Sequence, residues 1–95
     1  MSWTLLFAPQ TKKDFKTLDR PTQRFILDSL DEFAQNYSLD YETELIKTQK
    51  IKPLKGEWSG FYRLRLRSYR VIYEKQEERL IIHVVRVSHR KDAYE

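Results

Sequence analysis

Residues 62–67 read Tyr62-Arg63-Leu64-Arg65-Leu66-Arg67, so apolar and cationic side chains alternate along them. Successive side chains of a β-strand point to opposite faces of its sheet, which sends the tyrosine and the leucines to one face and the arginines to the other. The apolar face needs a covering layer of helices. The arginines are therefore predicted to stand in a row on the open face, about 6–7 Å apart. Such a row suits the phosphates of one nucleic-acid strand, and the alternative is a solvated strand whose cations discourage aggregation.

Three further segments have the composition of strands. β-Branched and apolar residues dominate each of them, and polar or turn-forming residues separate them. Together with the alternating run, the predicted strands cover residues 3–7, 60–67, 70–75 and 79–87. Short connections at Ser68-Tyr69 and at Gln76-Glu77-Glu78 join the last three strands. This spacing predicts an antiparallel meander.

Helical periodicity is confined to the first half of the chain. Phe15 and Leu18 indicate a short amphipathic helix. A longer helix is predicted over residues 22–37, where apolar side chains recur at spacings of four, three and four: Ile26, Leu30, Phe33 and Tyr37. Residues 38–56 are interpreted as a connection that could be mobile, with one helical turn at 42–46. The predicted fold is α+β, strand–helix–helix–strand–strand–strand, with two helices on one face of a mainly antiparallel four-stranded sheet.

Length and composition favour a single domain that spans residues 1–95. Hydrophobic residues form 40% of the chain and charged residues 34%, which is the balance of a globular protein rather than a disordered one. The chain has no cysteine, so neither disulfides nor thiolate-bound metal can stabilise it, and a reducing cytoplasm is the expected location. No apolar run approaches the length of a membrane span, so no membrane partner is expected.

The positive charge is concentrated in the second half of the chain. Residues 1–46 carry five Lys/Arg against eight Asp/Glu, a net charge of −3, whereas residues 47–95 carry thirteen against six, a net charge of +7. An electrostatic footprint confined to part of one domain suggests a polyanionic partner that meets one face. Ordinary solubilising surface is the alternative.

Three blocks of the second half follow one another in a recognisable order: Lys52-Pro53-Leu54-Lys55-Gly56-Glu57-Trp58-Ser59-Gly60-Phe61-Tyr62-Arg63-Leu64-Arg65, then Tyr69-Arg70-Val71-Ile72-Tyr73, then Arg86-Val87-Ser88-His89-Arg90-Lys91-Asp92-Ala93-Tyr94. Together with residues 12–19 of the first helix, these blocks resemble the RelE branch of the RelE/ParE toxin superfamily. The likeness extends over nearly the whole chain apart from residues 38–50. Each block is weakly specific by itself, and their common order favours this fold.

The resemblance implies a toxin whose architecture is like that of compact microbial ribonucleases. It further implies ribosome-dependent cleavage of mRNA, in which the 2′-hydroxyl of the RNA attacks the adjacent phosphate without a metal ion or another cofactor. The expected partners are the ribosome, mRNA and an acidic RelB-like antitoxin that neutralises the toxin in a complex. Two histidines on separate predicted elements also make a poor metal site.

Four arginines are the candidates for holding the scissile phosphate and stabilising its charge, because guanidinium forks match phosphate oxygens. Arg63 and Arg65 align with a lysine pair of the family, one member of which acts as base. An arginine cannot lose a proton near neutrality, so that base chemistry needs another group here. The resemblance assigns Arg70 to the phosphate and Arg90 to charge stabilisation or protonation of the leaving group.

Two residues near the carboxyl end are candidates for proton transfer. Tyr94 matches a family tyrosine that stacks on a base, and neighbouring cations would favour its ionised form. His89 titrates near neutrality and is the competing base, or a structural histidine that closes the last strand. His83, inside an apolar run, is interpreted as structural. The predicted RNA or ribosome contacts are Lys52, Lys55, Arg67 and Lys91.

Two alternative functions share the predicted fold. One is a ParE-like inhibitor of DNA gyrase, which would lack the RNA-cutting residues; the basic strand followed by Arg90 and Tyr94 favours RelE. The other is a catalytically weak domain that only binds the ribosome or an antitoxin. The replacement of both expected lysines, by Arg63 and Arg65, keeps this second alternative open.

Overall fold

The computed structural model describes residues 3–89, which form one five-stranded sheet and three helices. In chain order the elements are β1 (Thr4–Phe7), α1 (Pro9–Lys16), α2 (Arg20–Asn36), α3 (Leu39–Lys47), β2 (Ile51–Pro53), β3 (Tyr62–Leu66), β4 (Tyr69–Gln76) and β5 (Ile81–His89). The strand order across the sheet is β1-β5-β4-β3-β2. β1 runs parallel to β5, and the other neighbouring strands are antiparallel. The predicted α+β class and the antiparallel meander are confirmed.

The prediction of a connection over residues 38–56 was wrong, because this segment contains both α3 and β2. The side chain of Ser38 accepts a hydrogen bond from the backbone N–H of Tyr41 at 3.0 Å and so caps the start of α3. The polar composition hid the helix, since the fully buried residue of α3 is a carboxylate, Glu42. Ile51 of β2 is 1% exposed and extends the sheet to a fifth strand.

α2 provides the apolar surface on which the sheet packs. Asp19 accepts a hydrogen bond from the backbone N–H of Thr22 at 2.9 Å and caps the helix, and this interaction lowers the pKa of its carboxyl. One side of α2 is buried, as its periodicity predicts, through Ile26, Leu30, Phe33 and Ala34. These side chains form one core with the inward residues of the meander: Leu64, Leu66, Val71, Tyr73, Ile82, Val84 and Val87.

A buried ionic cluster fastens α3 to the sheet. Glu42 accepts hydrogen bonds from the hydroxyl of Tyr73, at 2.6 Å, and from the ammonium group of Lys75. Burial, and then the hydrogen bond to Glu42, raises the pKa of Tyr73. Burial lowers the pKa of Lys75, but the hydrogen bond and charge of Glu42 outweigh it, so the net shift is upward. Nearby, Tyr62 stacks on Tyr73 with ring centroids 5.4 Å apart.

The cluster leads us to expect that Tyr73→Phe destabilises the protein by about 1.5–3 kcal/mol, because a buried carboxylate loses a hydrogen-bond donor. Tyr37→Phe is the matched control. The Tyr37 hydroxyl is also buried, and burial and then Glu42 raise its pKa, but it makes no hydrogen bond of normal geometry among residues 3–89, so its removal should cost clearly less than the loss of the Tyr73 hydroxyl. Urea unfolding of both variants measures the difference. Equal losses would show that Glu42 does not depend on the Tyr73 hydroxyl.

Candidate nucleic-acid interface

Strand register gathers five cations on one face of the sheet. Residues directly opposite each other in antiparallel strands share a face. One row across the sheet runs Lys52, Arg63, Ile72, Arg86, and the next row runs Arg65, Arg70, Ser88. We call this surface the cationic face and define it by its charged members, Lys52, Arg63, Arg65, Arg70 and Arg86. It lies opposite the core, because Leu64, Val71 and Val87 point to the other side.

The arginines of β3 do not form the exposed row of three that their alternation predicts. Arg63 lies on the expected face but is only 5% exposed, and its Nη2 donates a hydrogen bond to the backbone carbonyl of Gln49 at 3.1 Å. Gln49 holds a left-handed conformation, φ 65°, at the end of the turn that follows α3. Arg63 therefore ties this turn to the sheet. Its neighbour Arg65 is exposed, and its side chain has no ion pair within residues 3–89.

Arg67 also departs from the predicted row. The hairpin turns at Arg67-Ser68, one residue earlier than predicted, and Arg67 adopts a φ of 55°. Its guanidinium carbon lies 3.8 Å from the centroid of the Phe25 ring, on the helix side of the sheet. Alternation ends where the strand ends, so the turn rather than the strand directs this side chain.

The remaining cations of the hairpin surround a pocket of about 200 Å³, lined by Arg65, Arg67, Tyr69 and Arg70. Arg65 and Arg70 occupy directly opposite positions on β3 and β4. Arg65 and Arg70 bring two guanidiniums to the same side of this pocket, and arginine forks offer paired donors to phosphate oxygens. The geometry therefore suits the binding of a phosphate group. Tyr69 was not predicted as a site residue, and its only sequence signal was its place before Arg70.

His89 packs against Tyr69, one of the residues that line this pocket. The two residues are directly opposite in register, on the side of the sheet that bears Val87 rather than on the cationic face. Their rings meet edge to face, with centroids 5.3 Å apart and an interplanar angle of 89°. His83 is placed away from the pocket, with its Nδ1 3.0 Å from a carboxylate oxygen of Glu74. The structure therefore separates the two histidines.

The other predicted site residues fall into two groups. Lys52, on the cationic face, and Lys55, in the loop after β2, are both exposed. Arg90, Lys91 and Tyr94 lie outside the described residues. Of the proposed catalytic set, the structure brings Arg65 and Arg70 together at the pocket and places Arg63 beneath the surface.

The chemistry of arginine defines what the described residues of the cationic face can do. Arginine stabilises negative charge but does not transfer protons near neutrality. Within residues 3–89, no group of three or more His, Asp or Glu side chains could hold a metal ion. None of the described helices has the length and apolar character of a membrane span. What the described arginines supply is anion binding and charge stabilisation.

Comparison with known proteins gives a consistent match over almost the full chain. Residues 5–94 match the family model for the ParE toxin of the parDE type II toxin–antitoxin system. No curated protein sequence gives a significant match.

Three solved structures share the fold. The toxin–antitoxin complex RelBE2 from Mycobacterium tuberculosis is similar at 28% identity, with 94% of this chain and 99% of that chain covered and a TM-score of 0.63. The RelB–RelE antitoxin–toxin complex from Methanococcus jannaschii gives 29% identity, 95% and 99% coverage and a TM-score of 0.65. The archaeal RelE–RelB complex from Pyrococcus horikoshii gives 23% identity, with 98% of this chain and 100% of that chain covered and a TM-score of 0.70. At this identity the likeness concerns the fold alone.

Burial separates two neighbouring arginines into different expected roles. Arg63→Gln should lower the free energy of unfolding by about 1–3 kcal/mol, because it removes a buried, hydrogen-bonded cation. Arg65→Gln should change stability by less than about 0.5 kcal/mol, since its side chain is exposed. The Arg65 variant should nevertheless elute from a heparin column at lower salt than the wild type. Urea unfolding and heparin elution measure the two properties, and a large stability loss in Arg65→Gln would contradict this assignment.

Proposed function

The chain belongs to the ParE toxin family of type II toxin–antitoxin systems, within the RelE/ParE fold, and from this premise we propose that it is a RelE-type toxin that cuts mRNA on the ribosome. The observation that carries the proposal is the pocket formed by Arg65, Arg67, Tyr69 and Arg70. Two arginines that lie opposite each other beside this pocket can bind a phosphate, which RNA cleavage requires and binding to another protein does not.

The reaction that suits this pocket needs no metal ion. The 2′-oxygen of the RNA attacks the adjacent phosphorus, the bond to the 5′-oxygen breaks, and the products carry a cyclic phosphate and a 5′-hydroxyl. Negative charge develops on the non-bridging phosphate oxygens in the transition state. We assign the binding of those oxygens and the stabilisation of the charge to Arg65 and Arg70, an assignment supported by their directly opposite positions on β3 and β4.

Proton transfer is assigned to other residues. Arg63 is buried and bound to a backbone carbonyl, so it supports the site from beneath rather than acting on the RNA. Tyr94 is the proposed base and Arg90 the proposed charge-stabilising group near the leaving oxygen. His89, packed on Tyr69 at the pocket, is the competing base. Lys52, Lys55, Arg67 and Lys91 are proposed to contact RNA or the ribosome.

A gyrase inhibitor is the second candidate function, because the matching family model is that of the ParE toxin. The two candidates differ in what the cationic face binds. An RNA-cutting toxin uses it for phosphate, whereas a gyrase inhibitor of this fold has no need of a phosphate pocket. A catalytically weak binding domain is the third candidate, and the buried position of Arg63 favours it over an enzyme with a β3 base.

An acidic antitoxin is the proposed protein partner. The three similar structures are all complexes of a RelE toxin with a RelB antitoxin. The half of this chain that forms the cationic face has a net charge of +7, which an acidic partner would complement. We place this complex and the mRNA target in the cytoplasm.

We expect negligible cutting of naked mRNA and strong cutting of the same message on translating ribosomes. The described arginines supply charge stabilisation but no strong base, so the reaction depends on the ribosome to hold the 2′-hydroxyl in line with the phosphate. Primer extension after addition of the purified protein maps the cleaved ends. Equal cutting of both substrates would refute the ribosome requirement. Absence of cutting in both, together with inhibition of DNA gyrase supercoiling, would establish the ParE-like function instead.

Single-turnover cleavage on ribosomes should separate charge stabilisation from proton transfer. Arg65→Ala and Arg70→Ala should each lower the rate by about a hundredfold, the scale for loss of one preorganised donor.

Tyr94→Phe should slow cleavage while ribosome binding is preserved. His89→Gln tests the rival base. If the rate rises with pH near neutrality and only the His89 variant loses that limb, His89 is the base and Tyr94 is not.

A further inference from the structure

The turn between β3 and β4 holds an arginine where glycine is favoured. Leu66 pairs with Tyr69, so the hairpin loop has two residues, Arg67 and Ser68. Of these two, only Arg67 has a positive φ, 55°, as in a type II′ turn, whose first loop position favours glycine. Backbone strain of this kind persists where the surrounding structure holds it, and it clusters at binding sites. The side chain of Arg67, rather than the turn, therefore accounts for the arginine.

The Phe25 ring of α2 supports the Arg67 guanidinium from one side, with the guanidinium carbon 3.8 Å from the ring centroid. Arg67 is exposed, and its side-chain N–H donors have no hydrogen-bond or ion-pair partner among residues 3–89. A guanidinium is planar, so it presents two faces. Phe25 covers one face, and the other is open to solvent.

Arg67 forms part of the walls of two adjoining pockets. One is the hairpin pocket, where it lies beside Arg65. The other is a cleft of about 210 Å³ between α2, α3 and β3. Buried apolar side chains line this cleft: Phe33, Leu64 and Leu66. A nucleotide whose phosphate lies beside Arg65 would therefore have its base next to a planar cation and an apolar cleft.

We propose that Arg67, supported by Phe25, is a stacking platform for one nucleobase of the bound RNA, next to the phosphate at Arg65. This inference rests on the proposed function, since it takes the ligand to be RNA. Nucleobases stack on guanidinium planes as well as on aromatic rings. Cation–π attraction to Phe25 keeps the guanidinium in place and so reduces the side-chain entropy that binding removes. Arg67 is the binding residue, and Phe25 is a positioning residue.

The test compares two fluorescein-labelled RNAs of about ten nucleotides, a length within the range of single-strand binding sites. Both are 2′-O-methylated so that they cannot be cleaved, and one of them is abasic. They carry the same number of phosphates, so a residue that binds only phosphate contributes equally to both. Fluorescence anisotropy measures the affinity of each protein variant for each RNA.

Arg67→Lys keeps the positive charge but removes the guanidinium plane. It should lower the affinity for the base-bearing RNA by about five- to tenfold and leave the affinity for the abasic RNA unchanged. Arg79→Lys is the matched control, because Arg79 is exposed in the turn at the other end of β4. This control should bind both RNAs as the wild type does.

Phe25→Leu tests the positioning role with every charge in place. It should weaken binding to the base-bearing RNA by about two- to fivefold, the scale of an exposed cation–π contact, without effect on the abasic RNA. Phe25→Tyr keeps the ring and should bind as the wild type does. If Phe25→Leu is unfolded by the urea criterion, Arg67→Lys decides the result, since Arg67 is an exposed turn residue.

Equal losses of affinity for both RNAs would make Arg67 a phosphate contact and overturn the platform, as would wild-type affinity of Arg67→Lys. The proposed function stands in either case if the wild type cuts mRNA on ribosomes. If the wild type binds neither RNA, the cleavage rate on ribosomes at limiting protein is measured instead. Lower rates for Arg67→Lys and Phe25→Leu than for Arg79→Lys support the platform, and equal rates overturn it. A wild type that neither binds RNA nor cuts mRNA on ribosomes overturns both proposals.

Discussion

The hydrogen bond between the Val87 backbone and the Asp14 carboxylate is the constraint on which much of this structure depends. It forms where β1 has ended and the edge of β5 would otherwise carry an unpaired buried N–H. An unpaired group of that kind is strongly destabilising. By fixing a β-bulge at Val85, where the pairing of β5 with β4 shifts by one residue, the contact decides which side chains of the last strand enter the core and which join the cationic face. One buried side chain therefore links the packing of β5 to the position of Arg86 on the cationic face.

Charge is used in two distinct ways in this small domain. Buried charges are paired and hydrogen-bonded: Glu42 binds Tyr73 and Lys75, and Asp14 binds Arg86. Pairs of this kind fix the position of an element more than they add net stability, because their desolvation offsets much of the attraction. Glu42 fixes α3, and the turn after α3 supplies the carbonyl that holds Arg63. Arg65, by contrast, is exposed to solvent on the cationic face.

The arginine-rich hairpin gives the proposed site a particular chemical character. Guanidiniums stay protonated at any working pH and so bind phosphate as cations. They cannot lose a proton and act as a base, as a lysine can. Under the proposed function, such a site would stabilise charge and would leave proton transfer to other groups and alignment to the ribosome. The buried position of Arg63 is consistent with this division, since its guanidinium is bound to a backbone carbonyl and lies beneath the surface.

The sequence by itself determined the α+β class, the long helix, predicted over residues 22–37 and observed as Arg20–Asn36, and the alternating strand β3, because each depends on a repeat between residues two to four positions apart. It also supplied the family likeness and the cations of the hairpin. Only the tertiary structure decided that residues 39–47 form a helix, that Arg63 is covered and that Arg67 turns toward Phe25. The same holds for Arg86, whose face is set by a carboxylate 72 residues away. Helix α3 buries the Glu42 carboxylate because Tyr73 and Lys75 bind it, and β5 breaks its alternation where Asp14 binds Arg86 and Val87. These partners are distant in the sequence, so no local pattern identifies them. The physical reason is that a buried charge or a bulge is stable only with its distant partner in place.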